Sequence, residues 1–335
     1  MQNFLDPVIL FFLFGVFAGC VKSNLEIPPQ ISRFLSLYLL MALGLKGGFA
    51  LAESGSGSEI ARSLVCAVTL AVVVPMIGYW LLRKVVSAFD AAAVAATYGS
   101  VSAVTFITAT QFLDTNRIDY GGHMAAAMAL MESPAIVIAI ALASMLRRQR
   151  ALGTGSASAG GAVTVAGGHG DGGMSIGKVL HESFTDGTQL LLLGALLIGM
   201  LSGEAGKIAM QPFSADLFKG MLAFFLLDMG LLAARSMGGL KGRSPLLFVY
   251  AVCGPLAHAC LALAMAWLFG LEPGNGMLLM VLAASASYIA VPAVLRYALP
   301  EANPPLYIGM PLAITFPFNV VVGIPLYAYA ALKVL

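Results

Sequence analysis

The chain has 335 residues, of which 59% are hydrophobic and only 10% charged, with a mean hydropathy of +0.91. A soluble domain carries about 25% charged residues, so this chain could not coat a globular surface of its size. Composition therefore excludes a cytosolic enzyme, a nucleic-acid binder and a disordered chain, and leaves an all-α, polytopic membrane protein. The net charge of +2 provides no basic field for nucleic acid. The 37 glycines suit close helix packing in lipid. Cys20, Cys66, Cys253 and Cys260 lie in apolar stretches without a C-x-x-C pair, so neither a disulfide framework nor a zinc site is expected. Met1–Pro7 lacks a basic residue and contains Asp6, unlike a signal peptide, so the first helix is expected to stay.

A helix needs about 20 apolar residues to cross the hydrocarbon core. Ten segments qualify: 7–24, 31–52, 60–83, 88–113, 121–146, 180–202, 216–236, 245–270, 274–297 and 305–333. Between the fifth and sixth lies Arg147–Lys178, dense in Gly, Ala, Ser and Thr. It cannot bury a core and reads as a flexible linker. The expected organisation is a first five-helix repeat over 1–150, a linker over 151–178 and a second five-helix repeat over 179–335. Lys22, Arg33, Arg83, Lys84, Arg147, Arg148, Arg150, Lys178, Arg235, Lys241, Arg243 and Arg296 fall on one side of these spans. The positive-inside rule then puts the linker in the cytoplasm and both termini outside.

The halves resemble each other. Ser32–Gly48 aligns with Ser214–Gly230 at an offset of 182, and Asp114–Gly122 aligns with Glu301–Gly309 at an offset of 187. Five spans per half is an odd number, so the second half enters the membrane in the opposite sense. That is an inverted-topology repeat, the sequence signature of many secondary transporters.

Such proteins bind substrate near the midplane, at interrupted helices. The fourth span carries Tyr98-Gly99-Ser100-Val101-Ser102, and the ninth carries Ser285-Ala286-Ser287-Tyr288 followed by Pro292. The offset of 187 places Ser100 on Ser287. Serine hydroxyls and freed backbone N–H groups at a helix break make a site for a small anion. Ser and Gly also serve simply to let helices approach closely.

The fifth span carries Glu132-Ser133-Pro134, and its mate at the same offset is Asn319, beside Pro317. A carboxylate in mid-span costs roughly 2.5–3.5 kcal/mol on insertion scales, which makes it a functional candidate. A carboxylate with proline-freed carbonyls suits Na⁺, a lone one suits a proton, and a neutral or paired Glu would be structural. Lys46 and Asp228 are mates at the offset of 182 and read as a structural ion pair near the pseudo-two-fold axis. Lys46 could instead counter a bound anion. His123, His169, His181 and His258 show no H-x-x-x-H spacing, and no nucleophile elbow or Walker loop is present, so neither an enzyme nor an ATP-driven pump is indicated.

Three stretches carry a resemblance: Gly99-Ser100-Val101-Ser102; Leu130–Val137 around Glu132-Ser133-Pro134; and Ala283–Pro292 running on to Ala302-Asn303-Pro304 and Tyr307-Ile308-Gly309. Together they look like the sodium-dependent bicarbonate transporter family of cyanobacterial carbon-concentrating systems, over nearly the whole chain outside the linker. The resemblance implies ten helices in inverted repeats, a core domain moving against a gate domain, and a homotrimer. It implies bicarbonate and Na⁺ as substrates, Na⁺ as coupling ion with no other cofactor, and a cytoplasmic PII-like regulatory partner. Carried over residue by residue, it puts bicarbonate on Gly99, Ser100, Ser102, Ser285 and Ser287, and the cation on Glu132 and Asn319. Tyr288 stands where cyanobacterial members have an Asp. Rival readings are transport of another small anion or carboxylate, or a passive channel or sensor on the same scaffold.

Overall fold

A chain in hydrocarbon must satisfy its backbone hydrogen bonds within itself, and every regular element found here is helical. The computed structural model describes residues 6–53, 57–155, 187–240 and 242–335. Most of the proposed linker, 156–178, lies outside the described residues, while its first residues continue a helix. Seven helical stretches are long and apolar enough to cross a membrane among the described residues. The 54-residue Gly187–Leu240 counts as one of them, and Pro7–Cys20 and Pro273–Ala284 are apolar but shorter.

In chain order, α1 is Pro7–Cys20, α2 Pro29–Glu53, α3 Gly57–Leu82, α4 Ala88–Gly99, α5 Ala103–Asn116 and α6 His123–Gly155. After the undescribed segment come α7 Gly187–Gln211, α8 Phe218–Ser236, α9 Pro245–Phe269, α10 Pro273–Ala284, α11 Ala290–Ala298 and α12 Pro305–Val334. The boundaries follow local chemistry. Asp6 caps α1 by accepting from the Val8 N–H at 2.9 Å, with Pro7 at the first helical position. α7 is kinked at Gly203, whose φ of 51° glycine tolerates. α12 contains π-type turns at Pro305–Gly309 and Pro311–Thr315, where prolines lack the N–H that a regular ladder needs.

The short loops make the helices alternate between two ends. One end, called the basic end here, carries Arg235 bonded to the Leu25 carbonyl and Arg147 paired with Glu301 at 2.8 Å. At the far end Lys219 pairs with Asp6 at 3.1 Å, and Arg62 bonds the Phe269 carbonyl at 2.7 Å.

Packing divides the helices into two groups. α1 lies along α8 and α2 along α7, while α3, α4, α6 and α9 to α12 pack on one another. The first group is joined backbone to backbone. A Cβ on Gly230 would lie 2.3 Å from the Phe12 carbonyl oxygen, and one on Gly15 would lie 2.2 Å from that of Leu227. Small residues permit this approach, and dispersion and weak C–H···O contacts then hold the helices together.

The expected Lys46–Asp228 pair does not form. Lys46 Nζ bonds Asp114 Oδ2 at 3.0 Å and lies 4.5 Å from the centre of the Phe218 ring. Asp228 accepts from the Ser32 hydroxyl instead. Lys46 is therefore level with the start of α8, and Asp228 is roughly 15 Å further along it at 1.5 Å per residue. Tyr120 also donates to Asp114 Oδ1, at 3.1 Å. Burial and the neighbouring carboxylate push the Tyr120 phenol well above its usual range, so it stays a neutral donor.

Two outcomes test this packing. Gly230→Ala drives α1 and α8 apart and costs about 1–3 kcal/mol, read as a lowered melting temperature. Gly220→Ala, on the same helix with no neighbour within 4 Å, should be neutral or stabilising. Lys46→Asp and Asp114→Lys should each lower stability, and their combination should recover part of the loss, a coupling absent from Lys46→Asp combined with Asp228→Lys.

Candidate functional site

The two helices singled out in the sequence are both interrupted. α4 ends at Gly99 with Ser100 as its C-cap, and α5 begins after Ser102. α10 ends at Ala284 with Ser285 as its C-cap, and α11 begins after Ile289. Each break leaves backbone groups without intrahelical partners. The two breaks supply partners for each other. The Ser102 N–H donates to Ser285 Oγ at 3.0 Å, and the Ser287 N–H donates to the Thr97 carbonyl at 2.8 Å. The hydroxyls also serve their own helices. Ser102 Oγ accepts from the Thr105 N–H at 3.2 Å, and Ser287 Oγ accepts from the Val291 N–H at 3.2 Å. All four serines are buried.

The serines thus form one cluster, but they do not all face the same space. A cleft of about 70 Å³ is lined by Ser102 and Ser287, by Val101, Ala103 and Val104 at the first break, and by Tyr288, Ile289 and Ala290 at the second. A water needs on the order of 10–15 Å³ by this measure, so the cleft can hold a small polyatomic ion. The first turns of α5 and α11 open onto it. Helix N-termini present free N–H groups and the positive end of the helix dipole, a combination that favours an anion. Ser285 stands behind this wall as the acceptor that holds Ser102. Ser100 is also behind it, and its hydroxyl has no hydrogen-bond partner among the described residues. Gly99 abuts α3, where a Cβ would come within 2.6 Å of the Pro75 ring. Gly99 therefore allows the helices to pack.

Glu132 reaches the same cleft from α6. Its Oε2 accepts from Gln189 Nε2 of α7 at 2.8 Å. Asn319 does not line the cleft. Its Nδ2 donates to the Ala284 carbonyl at 2.8 Å, and its Oδ1 accepts from the Tyr327 hydroxyl at 2.9 Å. The amide ties α12 to the last residue of α10 and steadies the break. Glu132 and Asn319, paired by offset, thus stand in different surroundings. Sequence reasoning overlooked Gln189, Thr188 and Ser36. The available signal was a pair of polar residues opening an apolar helix at Thr188-Gln189, next to a segment read only for its glycines.

The cleft shares Ser36, Thr188, Tyr288 and Ile289 with a larger space of about 800 Å³. That space includes Arg33, Asp228 and Arg235 and opens toward the basic end. A separate space of about 550 Å³ at the far end is lined by Lys46, Asp114, Arg117 and Lys207, and it has no residue in common with the cleft. Buried Leu43 and Phe106 and the backbone contact of Gly47 with Gly122 stand at its floor. Among the described residues the cleft thus borders the space toward the basic end and shares no wall with the far-end space.

A cleft between two crossed helix breaks, bordered by a larger space on one side, is the geometry expected of a transporter. The family model of the Na⁺-dependent bicarbonate transporter superfamily matches residues 7–332. The chain belongs to that superfamily. No curated protein compared with it gives a match. The family assignment spans both breaks, Glu132 and the whole of the cleft wall.

Replacing Ser285 with Ala removes the acceptor of the Ser102 N–H at a buried position. The expected cost is about 1–3 kcal/mol of stability, read as a lowered melting temperature in detergent. Ser100→Ala, which removes a hydroxyl without a partner, should cost less than Ser285→Ala in the same measurement.

Proposed function

We propose that this protein is a secondary active transporter that moves bicarbonate together with Na⁺ across a bacterial cytoplasmic membrane. The observation that carries the reading is the pair of crossed helix breaks whose first turns meet in one cleft beside Glu132. Bicarbonate is small, planar and singly charged. Ser102, Ser287 and the free N–H groups of α5 and α11 are the donors it would meet. The cation would sit near Glu132, which supplies the negative charge that attracts it. Ten crossings in two inverted five-helix repeats account for matching breaks in the fourth and ninth. The distribution of Lys and Arg supports placing the basic end in the cytoplasm and both termini outside.

On that orientation the cleft faces the cytoplasm in this structure. Return to an outward-facing form requires the far-end contacts, Lys46 with Asp114 and Gly47 with Gly122, to separate. The α1, α2, α7, α8 group and the remaining helices would be the gate and core that move against each other. The resemblance of the sequence also supports a homotrimer and a PII-like cytoplasmic partner. Transport of a different small anion, and passive conduction, are the rival readings.

The deciding measurement is uptake of labelled bicarbonate into vesicles with and without an inward Na⁺ gradient. Accumulation only with the gradient supports symport, and gradient-independent flux supports a channel. Glu132→Gln keeps the side chain's shape and removes its charge. Uptake should fall and its Na⁺ dependence should weaken while the protein still inserts. Normal uptake with unchanged Na⁺ dependence would make Glu132 structural.

A further inference from the structure

Among the described residues Tyr288 is the one aromatic residue that lines both the serine cleft and the space beside it. It lies in the break between α10 and α11 and lines both the serine cleft and the larger space toward the basic end. Anything leaving the cleft by that route passes its side chain. The ring packs against Phe316 of α12, with centroids 5.5 Å apart, and the residue is 8% exposed. Its hydroxyl donates to the thioether of Met229, on α8, at 3.8 Å. A thioether sulfur is a weak acceptor, whereas a phenol is a full-strength donor. A buried donor normally takes the best acceptor within reach. Here it takes a poor one, although the Ser102 hydroxyl of the cleft wall is also near, so the phenol can turn from the sulfur toward a space that has room for an anion.

We propose that Tyr288 is a specificity-determining residue of the cleft: its hydroxyl leaves Met229 to donate to the bound anion, and its ring forms the threshold between the cleft and the basic-end space. The inference rests on the reading of the cleft as a bicarbonate site. A donor–acceptor bond strengthens when the acceptor is charged and basic. Exchange of a sulfur for a bicarbonate oxygen is therefore favourable, and more so than exchange for nitrate, a planar anion of similar size whose oxygens are far less basic. The same exchange breaks a contact between the α10–α11 break and α8. Anion binding is thereby linked to loosening of the two helix groups on the basic-end side.

The test is labelled bicarbonate uptake by vesicles containing the full-length protein, with nitrate as competitor. Tyr288→Phe keeps the ring and its contact with Phe316 and removes only the hydroxyl. The expected result is a KM for bicarbonate raised about tenfold or more, with the maximal rate within a factor of about two, and stronger relative inhibition by nitrate. Met229→Leu removes the ground-state acceptor and keeps the apolar contact. Its expected KM is unchanged or lower than that of the unaltered protein. An unchanged KM and unchanged nitrate inhibition in Tyr288→Phe overturn the inference. A raised KM in Met229→Leu also overturns it, whether or not Tyr288→Phe assembles, because the hydroxyl would then act through the sulfur. No bicarbonate uptake by the unaltered protein overturns the reading of the cleft, and this inference with it. Uptake by the unaltered protein with no effect of Tyr288→Phe overturns the inference alone.

Discussion

A helix interrupted inside a bundle leaves several N–H and C=O groups that water cannot reach, each costly if unpaired. Everything else in this molecule is arranged around two such interruptions. The Ser102 N–H finds the Ser285 hydroxyl, and the Ser287 N–H finds the Thr97 carbonyl. Each break is thereby completed by the other. Neither could be closed separately without leaving the second unsatisfied. The remaining donors at the starts of α5 and α11 have no such reciprocal partner. Unshared donors of this kind, at the positive ends of helix dipoles, favour negative charge.

The supporting parts follow from that need. Asn319 holds the Ala284 carbonyl at the end of α10, and Gly99 lets Pro75 come against the end of α4. Both fix where the breaks fall without touching the cleft. Glu132 and Gln189 approach from two different helix groups and meet across it. A hydrogen bond across a seam between groups differs in kind from one within a group. Such a bond would break if the groups separated, whereas the serine stitches lie within one group.

Much of this was legible in the sequence. Long apolar runs located the helices, because only a helix can cross lipid alone. Serines beside Gly99 and before Pro292 located the breaks, because hydroxyls and glycine lower the cost of leaving the helix. The Lys46–Asp228 pairing was not legible, and the reason is geometric. On the inverted repeat read from the sequence, mates would meet only if they lay on the two-fold axis. Elsewhere they sit at opposite depths, and these two are found toward opposite ends. The true partner of Lys46, Asp114, follows the broken span and looked like a loop residue. Which serines face the cleft was also hidden. Ser102 lines the cleft and Ser100 does not, and no helical period applies to the extended backbone that carries them.

The glycine contacts between α1 and α8, and the similar one of Gly48 against the Leu196 carbonyl between α2 and α7, have a mechanical consequence. Backbones that touch at this distance mesh like the teeth of a zip. A slide of a single residue along either pair would bring a side chain into the notch that only a hydrogen now occupies. These pairs cannot shear and must travel as stiff blades. Any large motion would then fall at the boundaries between the two helix groups, which include the walls of the cleft and the Gly47–Gly122 contact at the far end. The stiffness of the glycine seams thus confines deformation of the bundle to the boundaries between the groups.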